Sequence, residues 1–394
     1  MKNNLSKSDK IEELLNRGVE EIISGPNLEK KLKSGKRLRV KLGIDPTSAD
    51  IHLGRTIPLL KLRDFQELGH KVILIIGDFT GVIGDTSDKD SERPMLPEKT
   101  VKENFKTYIK QAAKIINVDK AEIYRNGKWL GKLNYMDISR QANIFSLNEF
   151  ISRENINRRL TKGKRVSLRE LLYPLMQGYD SVKVKTDVEV GGTDQRFNLL
   201  AGRDMQRFYG QKPQDILTNP LIEGLDGRKM SSSFGNTVNL FDAPNDMFGK
   251  IMSLKDGLIV KYFILLTRVD MKTINEYENS LKTGVNPRDF KMKLAFEITR
   301  MYHSEKDARA ANDYFIRTFS KKEIPTSRPK FKPAKYDLVS ILVETKLTPS
   351  KSEARRIIKQ GGVKINGTTI KDIGYIVPPG SVLRKGKIKF MEIL

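Results

Sequence analysis

Two short stretches of this sequence carry groups suited to holding a nucleotide. The first is DPTSADIHLGR, Asp45 to Arg55, where an apolar strand pattern gives way to a helix pattern. In a doubly wound α/β fold, ligands bind in the crevice outside the carboxyl ends of the strands. A helix N-terminus there offers unpaired N–H groups and a positive dipole end to a phosphate. His52 can donate to a phosphate oxygen, and Gly54, with no side chain, lets a flat base lie against the backbone. The second stretch is GLDGRKMSSSFGN, Gly224 to Asn236, a glycine-rich loop with Arg228 and Lys229 followed by three hydroxyls. Backbone N–H groups, hydroxyls and a lysine are what a triphosphate needs around it. Taken singly, each has a plainer reading: a helix start with an incidental histidine, and a surface loop.

The elements around these stretches read as follows. Residues 8–33 have apolar positions at helical spacing, with a break at Gly25-Pro26. RLRVKLGIDP (37–46) reads as a buried strand, a helix runs from about Arg55 to Leu68, and KVILIIGDF (71–79) is a second apolar strand. Strand, helix, strand with short loops argues for a parallel α/β sheet. Further strands are expected at AEIYRN (121–126) and SVKVKTDVEVGG (181–192). From about 241 the pattern turns helical. KKEIPTSRPKFKPAK (321–335) reads as a linker, rich in Pro and Lys. The last sixty residues suggest two helices, DLVSILVET and SKSEARRIIKQ, then short strands. The expected division is 1–240, 241–320, the linker 321–335, and 336–394.

Composition narrows the class. The 394 residues carry a formal net charge of +24, which suggests a polyanionic partner such as nucleic acid. Residues 321–394 hold 17 Lys and Arg against 6 Asp and Glu, nearly half of that excess in under a fifth of the chain. A local nucleic-acid surface explains this better than a uniform compositional bias. The absence of cysteine excludes disulfides and thiolate metal sites. The three histidines, His52, His70 and His303, make a histidine zinc site a poor reading. No apolar run reaches 18 residues and the first residues lack a signal-peptide core, so a soluble, cytoplasmic protein is expected.

A His-x-Gly-x stretch on the first strand–helix turn, followed late in the α/β unit by Lys-Met-Ser-x-Ser, resembles the paired motifs of class I aminoacyl-tRNA synthetases. YPLMQGYDS (173–181), VGGTDQRFN (190–198) and GDFTGVIGDTSDKDSER (77–93) resemble the tyrosine-binding pattern of bacterial-type tyrosyl-tRNA synthetases. SKSEARRIIKQGGVKING (350–367) resembles an S4-type RNA-binding domain. The resemblance covers essentially the whole chain. It implies a Rossmann-like parallel-sheet catalytic domain, an all-α domain near the anticodon, and a small α+β S4-type tail. It also implies a homodimer and, as partners, L-tyrosine, ATP with Mg²⁺, and tRNA(Tyr).

The resemblance implies roles residue by residue. Tyr173, Gln177, Thr80 and Asp85 would hold the tyrosine α-amino group, and Asp180 would meet the phenolic hydroxyl. Gln195 would position the reacting carboxylate and Asp194 would bond a ribose hydroxyl. Asp45, His52, Gly54 and Gly192 would line the ATP side. Lys89 and Arg93 match a loop that contacts the leaving pyrophosphate, joined there by His52 and Lys229. Four positions depart from the family pattern. Arg55 stands where a second histidine is usual; arginine still donates but is bulkier and permanently charged. Ser232 stands at the second lysine of the later motif, where Arg228 could offset the missing charge. Lys41 stands where a tyrosine often helps read the hydroxyl, and could meet that hydroxyl or pair with an acid nearby. Glu189 stands where many members have glutamine.

The expected chemistry has two steps. The tyrosine carboxylate attacks the ATP α-phosphorus, giving tyrosyl-adenylate and pyrophosphate, and a hydroxyl of the terminal tRNA adenosine then takes the tyrosyl group. No protein nucleophile is needed; positioning and charge stabilisation suffice. Two other classes stay open on the sequence. One is a non-catalytic RNA-binding protein on the same scaffold, favoured by Arg55 and Ser232. The other is an enzyme for tryptophan or another aromatic amino acid.

Overall fold

The computed structural model describes residues 6–87, 91, 94–320, 329–386 and 389–394. The chain divides into two compact units, residues 1–243 with 250–304, and residues 244–249 with 305–394.

The first unit is built on a six-stranded sheet: β1 (Glu21–Ile23), β2 (Arg39–Ile44), β3 (Lys71–Ile76), β4 (Glu122–Arg125), β5 (Val188–Gly192) and β6 (Asp215–Asn219). Their spatial order is β1-β6-β5-β2-β3-β4. The middle strands read as near-continuous apolar runs because helices cover both faces of a parallel sheet. In β3 every residue after Lys71 is buried. All neighbours pair in parallel except β1, which lies antiparallel against β6. From β2 the chain winds outward through β3 and β4. It then returns to the other side of β2 for β5 and β6. The carboxyl ends of β2 and β5 therefore flank the switch point of the sheet, where such folds open a crevice.

Three expectations change. Residues 8–33 form two helices, Lys7–Asn16 and Gly25–Lys33, with β1 between them. Gly25-Pro26 starts the second helix, where the proline's missing N–H would have had no partner anyway. Residues 181–183 end a helix, Leu168–Lys183, although their spacing alternates like a strand. Ser167 and Glu170 box its N-terminus, and the left-handed φ of 49° at Lys185 turns the chain away before β5 begins. Finally, β6 and the helices Tyr135–Ala142, Leu147–Ile151 and Glu154–Thr161 add elements between the motifs.

The helices Ile259–Leu266, Met271–Lys282 and Pro287–Tyr302 follow as expected. Ionic groups from the N-terminal half bind their ends. The Arg17 guanidinium donates to the carbonyls of Phe263, Ile264, Thr267 and Val269 at 2.8–3.1 Å, and pairs with Glu13. Arg268 forms a two-point pair with Asp64 at 2.7 and 2.9 Å. The buried Lys61 ammonium donates to the carbonyls of Leu14 and Arg17, and its burial lowers its pKa to about 8. Among the described residues no helix is long and apolar enough to cross a membrane.

The second unit carries a five-stranded sheet: β7 (Lys330–Phe331), β8 (Val363–Ile365), β9 (Thr368–Ile370), β10 (Val382–Lys385) and β11 (Lys389–Ile393), in the order β7-β11-β10-β8-β9. Helices Leu338–Glu344 and Lys351–Lys359 supply Leu338, Ile341, Leu342, Ala354 and Ile358 to its core. Lys351, Arg355, Arg356 and Lys359 stand on the exposed side of the second helix.

Arg17 is 5% exposed, and removing it takes a donor from four carbonyls at a helix end, of which Phe263 and Thr267 keep one each, from the Thr267 hydroxyl and from Arg268. Arg17→Met is expected to cost about 2–4 kcal/mol in the denaturant unfolding of this unit. Arg196→Met, which removes an exposed pair with Glu21, is expected to cost under about 1 kcal/mol in the same measurement.

Candidate active site

A cleft of about 310 Å³ opens at the carboxyl ends of β2 and β5. It is lined by Asp45, His52, Gly54, Arg55, Thr80, Asp85, Tyr173, Gln177, Asp180, Gly192, Asp194, Gln195, Lys229 and Ser232. Both motifs meet here. Leu53 N–H donates to the Val238 carbonyl, Leu240 N–H to that of Ile51, and Gly54 N–H to the Met230 sulfur at 3.2 Å. A Cβ on Gly54 would come within 3.1 Å of the His52 ring and 3.3 Å of Ile222, so this wall admits no side chain without displacement.

One end of the cleft is a chain of buried hydrogen bonds. Asp45 accepts from the Thr80 hydroxyl at 2.7 Å and the Tyr173 hydroxyl at 2.8 Å. Gly77 makes this meeting possible, since a Cβ there would lie 2.0 Å from the Asp45 carboxylate. Asn126 donates to Thr80 Oγ1 at 2.9 Å and to Asp180 Oδ2 at 3.1 Å. The indole of Trp129 donates to Asp180 Oδ1 at 2.7 Å. Burial raises Asp45 to about 6 against the hydrogen bonds from Thr80 and Tyr173. Burial likewise raises Asp180 to about 7, opposed by Lys41, Trp129 and Asn126. Tyr173 is held well above the ordinary phenol range by burial and by Asp45.

Asp85, Gln195 and Asn198 form a second chain. The Gln195 amide donates to Asp85 at 2.5 Å and to Ser87 at 2.8 Å, while its carbonyl accepts from Asn198 at 2.9 Å. Across the cleft, Lys229 reaches Asp194 at 3.0 Å, tying the glycine-rich loop to the end of β5. Asn236 braces that loop: its amide donates to Asp226 at 2.7 Å, and its carbonyl accepts from Ser231 N–H at 2.9 Å. Asn236 and then Arg228 hold Asp226 down to about 2.

The departures from the family pattern resolve individually. Arg55 lines the cleft and braces its turn, donating to Thr47 at 2.9 Å, Tyr108 at 2.7 Å and the Asp45 carbonyl at 3.2 Å. Arg228 pairs with Asp226 and stacks over Phe234 at 4.6 Å, and it is not among the residues lining the cleft. Ser232 is exposed at the cleft rim, opening a short 3₁₀ turn. Lys41 lies behind the cleft wall and pairs with Glu189 at 2.8 Å; of its two expected uses, the acid partner is the one formed. Lys89 and Arg93 lie outside the described residues.

Sequence reasoning missed Asn126, Trp129, Ser181, Gln214 and Tyr108. Trp129 carried a usable signal as the chain's single tryptophan, since a buried indole needs an acceptor for its N–H. The others have no local pattern.

The raised Asp45 value has a stability consequence. A carboxyl whose folded value exceeds its unfolded one, here 3.8, supports folding fully below that value and loses the support as pH rises through about 6. Asp45→Asn removes the effect. The melting temperature of the variant relative to the parent is therefore expected to rise between pH 5 and pH 8.

Comparison with known proteins identifies the family. Residues 33–320 match the model for tRNA synthetases class I (W and Y), and residues 338–383 match the S4 domain. The tyrosine–tRNA ligase of Thermotoga maritima is 47% identical over 385 residues, 96% of each chain. That of Carboxydothermus hydrogenoformans is 45% identical over 398 residues, 97% of each chain. The fold matches the tyrosyl-tRNA synthetase of Archaeoglobus fulgidus solved with L-tyrosine, with a TM-score of 0.63 at 24% identity over 78% of this chain and all of that one. With this architecture, these paired motifs and relatives this similar over nearly their full length, the chain belongs to the class I aminoacyl-tRNA synthetases, in the tyrosine–tRNA ligase family.

Proposed function

We propose that the cleft activates L-tyrosine with ATP and passes the tyrosyl group to tRNA(Tyr). The observation that carries this is Asp180, a buried carboxylate fixed by Trp129 and Asn126 at the deep end of the cleft. Both of its oxygens take donors from the protein, yet each keeps a second lone pair, which suits it to accept from a phenol hydroxyl. A phenylalanine ring would leave that acceptor buried without its partner.

The remaining roles are those that the family resemblance implies, and the geometry supports them. Tyr173, Thr80, Gln177 and Asp85 surround the place for the α-ammonium, and the Tyr173–Asp45–Thr80 chain orients the first two. Gln195 offers the tyrosine carboxylate its amide N–H, which in this structure donates to Asp85 and Ser87. Asp194 takes the ribose hydroxyls, with His52, Gly54 and Gly192 against the nucleotide. Lys229, Ser232, Lys89 and Arg93 stabilise charge on the departing pyrophosphate. In-line displacement at the α-phosphorus needs no protein nucleophile, so the residues contribute alignment and fixed charge. Mg²⁺ enters as part of the ATP complex, held by phosphate oxygens and water. The catalytic part corresponds to residues 1–240, with 241–320 near the anticodon, 321–335 as linker and 336–394 against tRNA. The setting is the cytoplasm.

A homodimer completes the reading. Large apolar side chains stand exposed along residues 135–172: Tyr135 at 91%, Leu168 at 78%, Leu147 at 62% and Met136 at 61%. Such a concentration favours an interface, and a second copy supplies a self-complementary partner by two-fold symmetry.

Two experiments test these proposals. Amino-acid-dependent ATP–pyrophosphate exchange, run in parallel with tyrosine, tryptophan and phenylalanine, is expected with tyrosine alone. Asp180→Asn is expected to lower the preference for tyrosine over phenylalanine by about 10- to 100-fold. No exchange with any of the three, from a folded protein that binds tRNA, would leave an RNA-binding protein. For assembly, light scattering after size exclusion is expected to give a dimer, and Leu168→Glu to shift it toward monomer. A parent chain that runs as a monomer at micromolar concentration would remove the dimer.

A further inference from the structure

Two of the departures noted in the sequence, Lys41 and Glu189, meet each other. They are register partners on the adjacent strands β2 and β5. Each side chain is 1% exposed, and they pair at 2.8 Å. Glu189 gathers three further donors: Gln177 Nε2 at 3.1 Å, Ser181 Oγ at 3.1 Å, and Gln214 Nε2. The Lys41 ammonium also donates to Ser181 Oγ at 2.6 Å and to the main-chain carbonyl of Gln177 at 3.2 Å. Gly202 leaves room for this cluster, since a Cβ there would lie 2.5 Å from Gln214 Nε2 and 3.1 Å from Ser181 Oγ.

The cluster touches the cleft through Gln177, which lines it. A glutamine amide has a donor end and an acceptor end, and a neutral neighbour accommodates either. A carboxylate only accepts, so Glu189 holds Gln177 Nε2 inward and leaves the carbonyl oxygen for the cleft. That acceptor is the end an ammonium requires. Glutamate alone would bury an uncompensated charge beneath the site, and Lys41 supplies the compensation.

We propose that Lys41 and Glu189 are a charge-balanced positioning pair that locks the Gln177 amide with its carbonyl oxygen toward the ammonium of the amino-acid substrate. The proposal rests on the tyrosine-activation reading and adds to it how the ammonium end is fixed. Neither residue touches the substrate; both act through Gln177. The pair works as a unit, so changing one member harms recognition more than changing both.

The test uses the full chain and three ligands: L-tyrosine, tyramine, which keeps the ammonium, and 3-(4-hydroxyphenyl)propanoate, which lacks it. Glu189→Gln is expected to weaken L-tyrosine and tyramine about 10-fold or more, while 3-(4-hydroxyphenyl)propanoate stays within about 2-fold. The KM for tyrosine in pyrophosphate exchange is expected to rise in step, with the KM for ATP unchanged. Lys41→Met/Glu189→Gln is expected to return tyrosine binding to within about 5-fold of the parent. If Glu189→Gln fails to fold, a folded double variant that binds L-tyrosine and tyramine more weakly than the parent, with 3-(4-hydroxyphenyl)propanoate unchanged, supports the pair, and one that weakens none of the three overturns it. Equal weakening of all three ligands, or a double variant no better than Glu189→Gln, overturns it. A parent that exchanges tyrosine normally while Glu189→Gln matches it refutes the pair alone. A parent with neither exchange nor tyrosine binding refutes the function along with it.

Discussion

Strands β2 and β5 lie side by side in parallel, yet the chain leaves them toward opposite edges of the sheet. Their backbones cannot both continue into the same space, so a crevice opens beyond Ile44 and Gly192. Everything placed in it derives from that constraint. The turn after β2 delivers Asp45 and, at the start of the next helix, His52. The end of β5 delivers Gly192, Asp194 and Gln195. The helix Leu168–Lys183 crosses behind, contributing Tyr173, Gln177 and Asp180 at spacings that keep them on one side.

The cleft is furnished with carboxylates in places that disfavour their charge. Asp45 and Asp180 both sit well above their ordinary range because burial outweighs the donors around them. Those donors are rigid groups: an indole, a carboxamide, a phenol and a threonine hydroxyl. Such a site is paid for in stability and repaid in discrimination, since a fixed acceptor without a partner rejects the wrong side chain. Lys41 and Glu189 treat the same problem differently, placing the opposite charge directly beneath the wall.

Much of this was legible in the sequence because it is local. The apolar runs of β2 and β3, the glycine-rich loop and the basic face of helix Lys351–Lys359 follow from neighbouring residues. So do the positions of Tyr173, Gln177 and Asp180, once the motif is placed on a helix. The sequence misled where a periodicity of two ran through the end of a helix, at 181–183. It was silent where partners are far apart in the chain. Lys41 and Glu189 are 148 positions apart, and nothing local tells a lysine in a buried strand which acid it faces. Asn126 and Trp129 reach Asp180 across more than fifty residues. β6 escaped notice because its DILTN run is short and polar at both ends, and it is buried by its neighbours on the sheet.

Arg17 has a bearing on the order in which the molecule is made. Its carbonyl partners, Phe263 to Val269, follow it by 246 to 252 positions. Likewise β1, a few residues on, completes its pairing only with β6, nearly two hundred positions later. A ribosome releases helix Lys7–Asn16 and Arg17 well before the carbonyls on which Arg17 docks. Until then the Arg17 guanidinium lacks the carbonyls, and β1 the strand, that finally hold them, although Lys61 already reaches the Leu14 and Arg17 carbonyls. Arg17 and β1 are thus locked only once residues far along the chain are made, and the closing of the first unit is gated by translation of the helical layer.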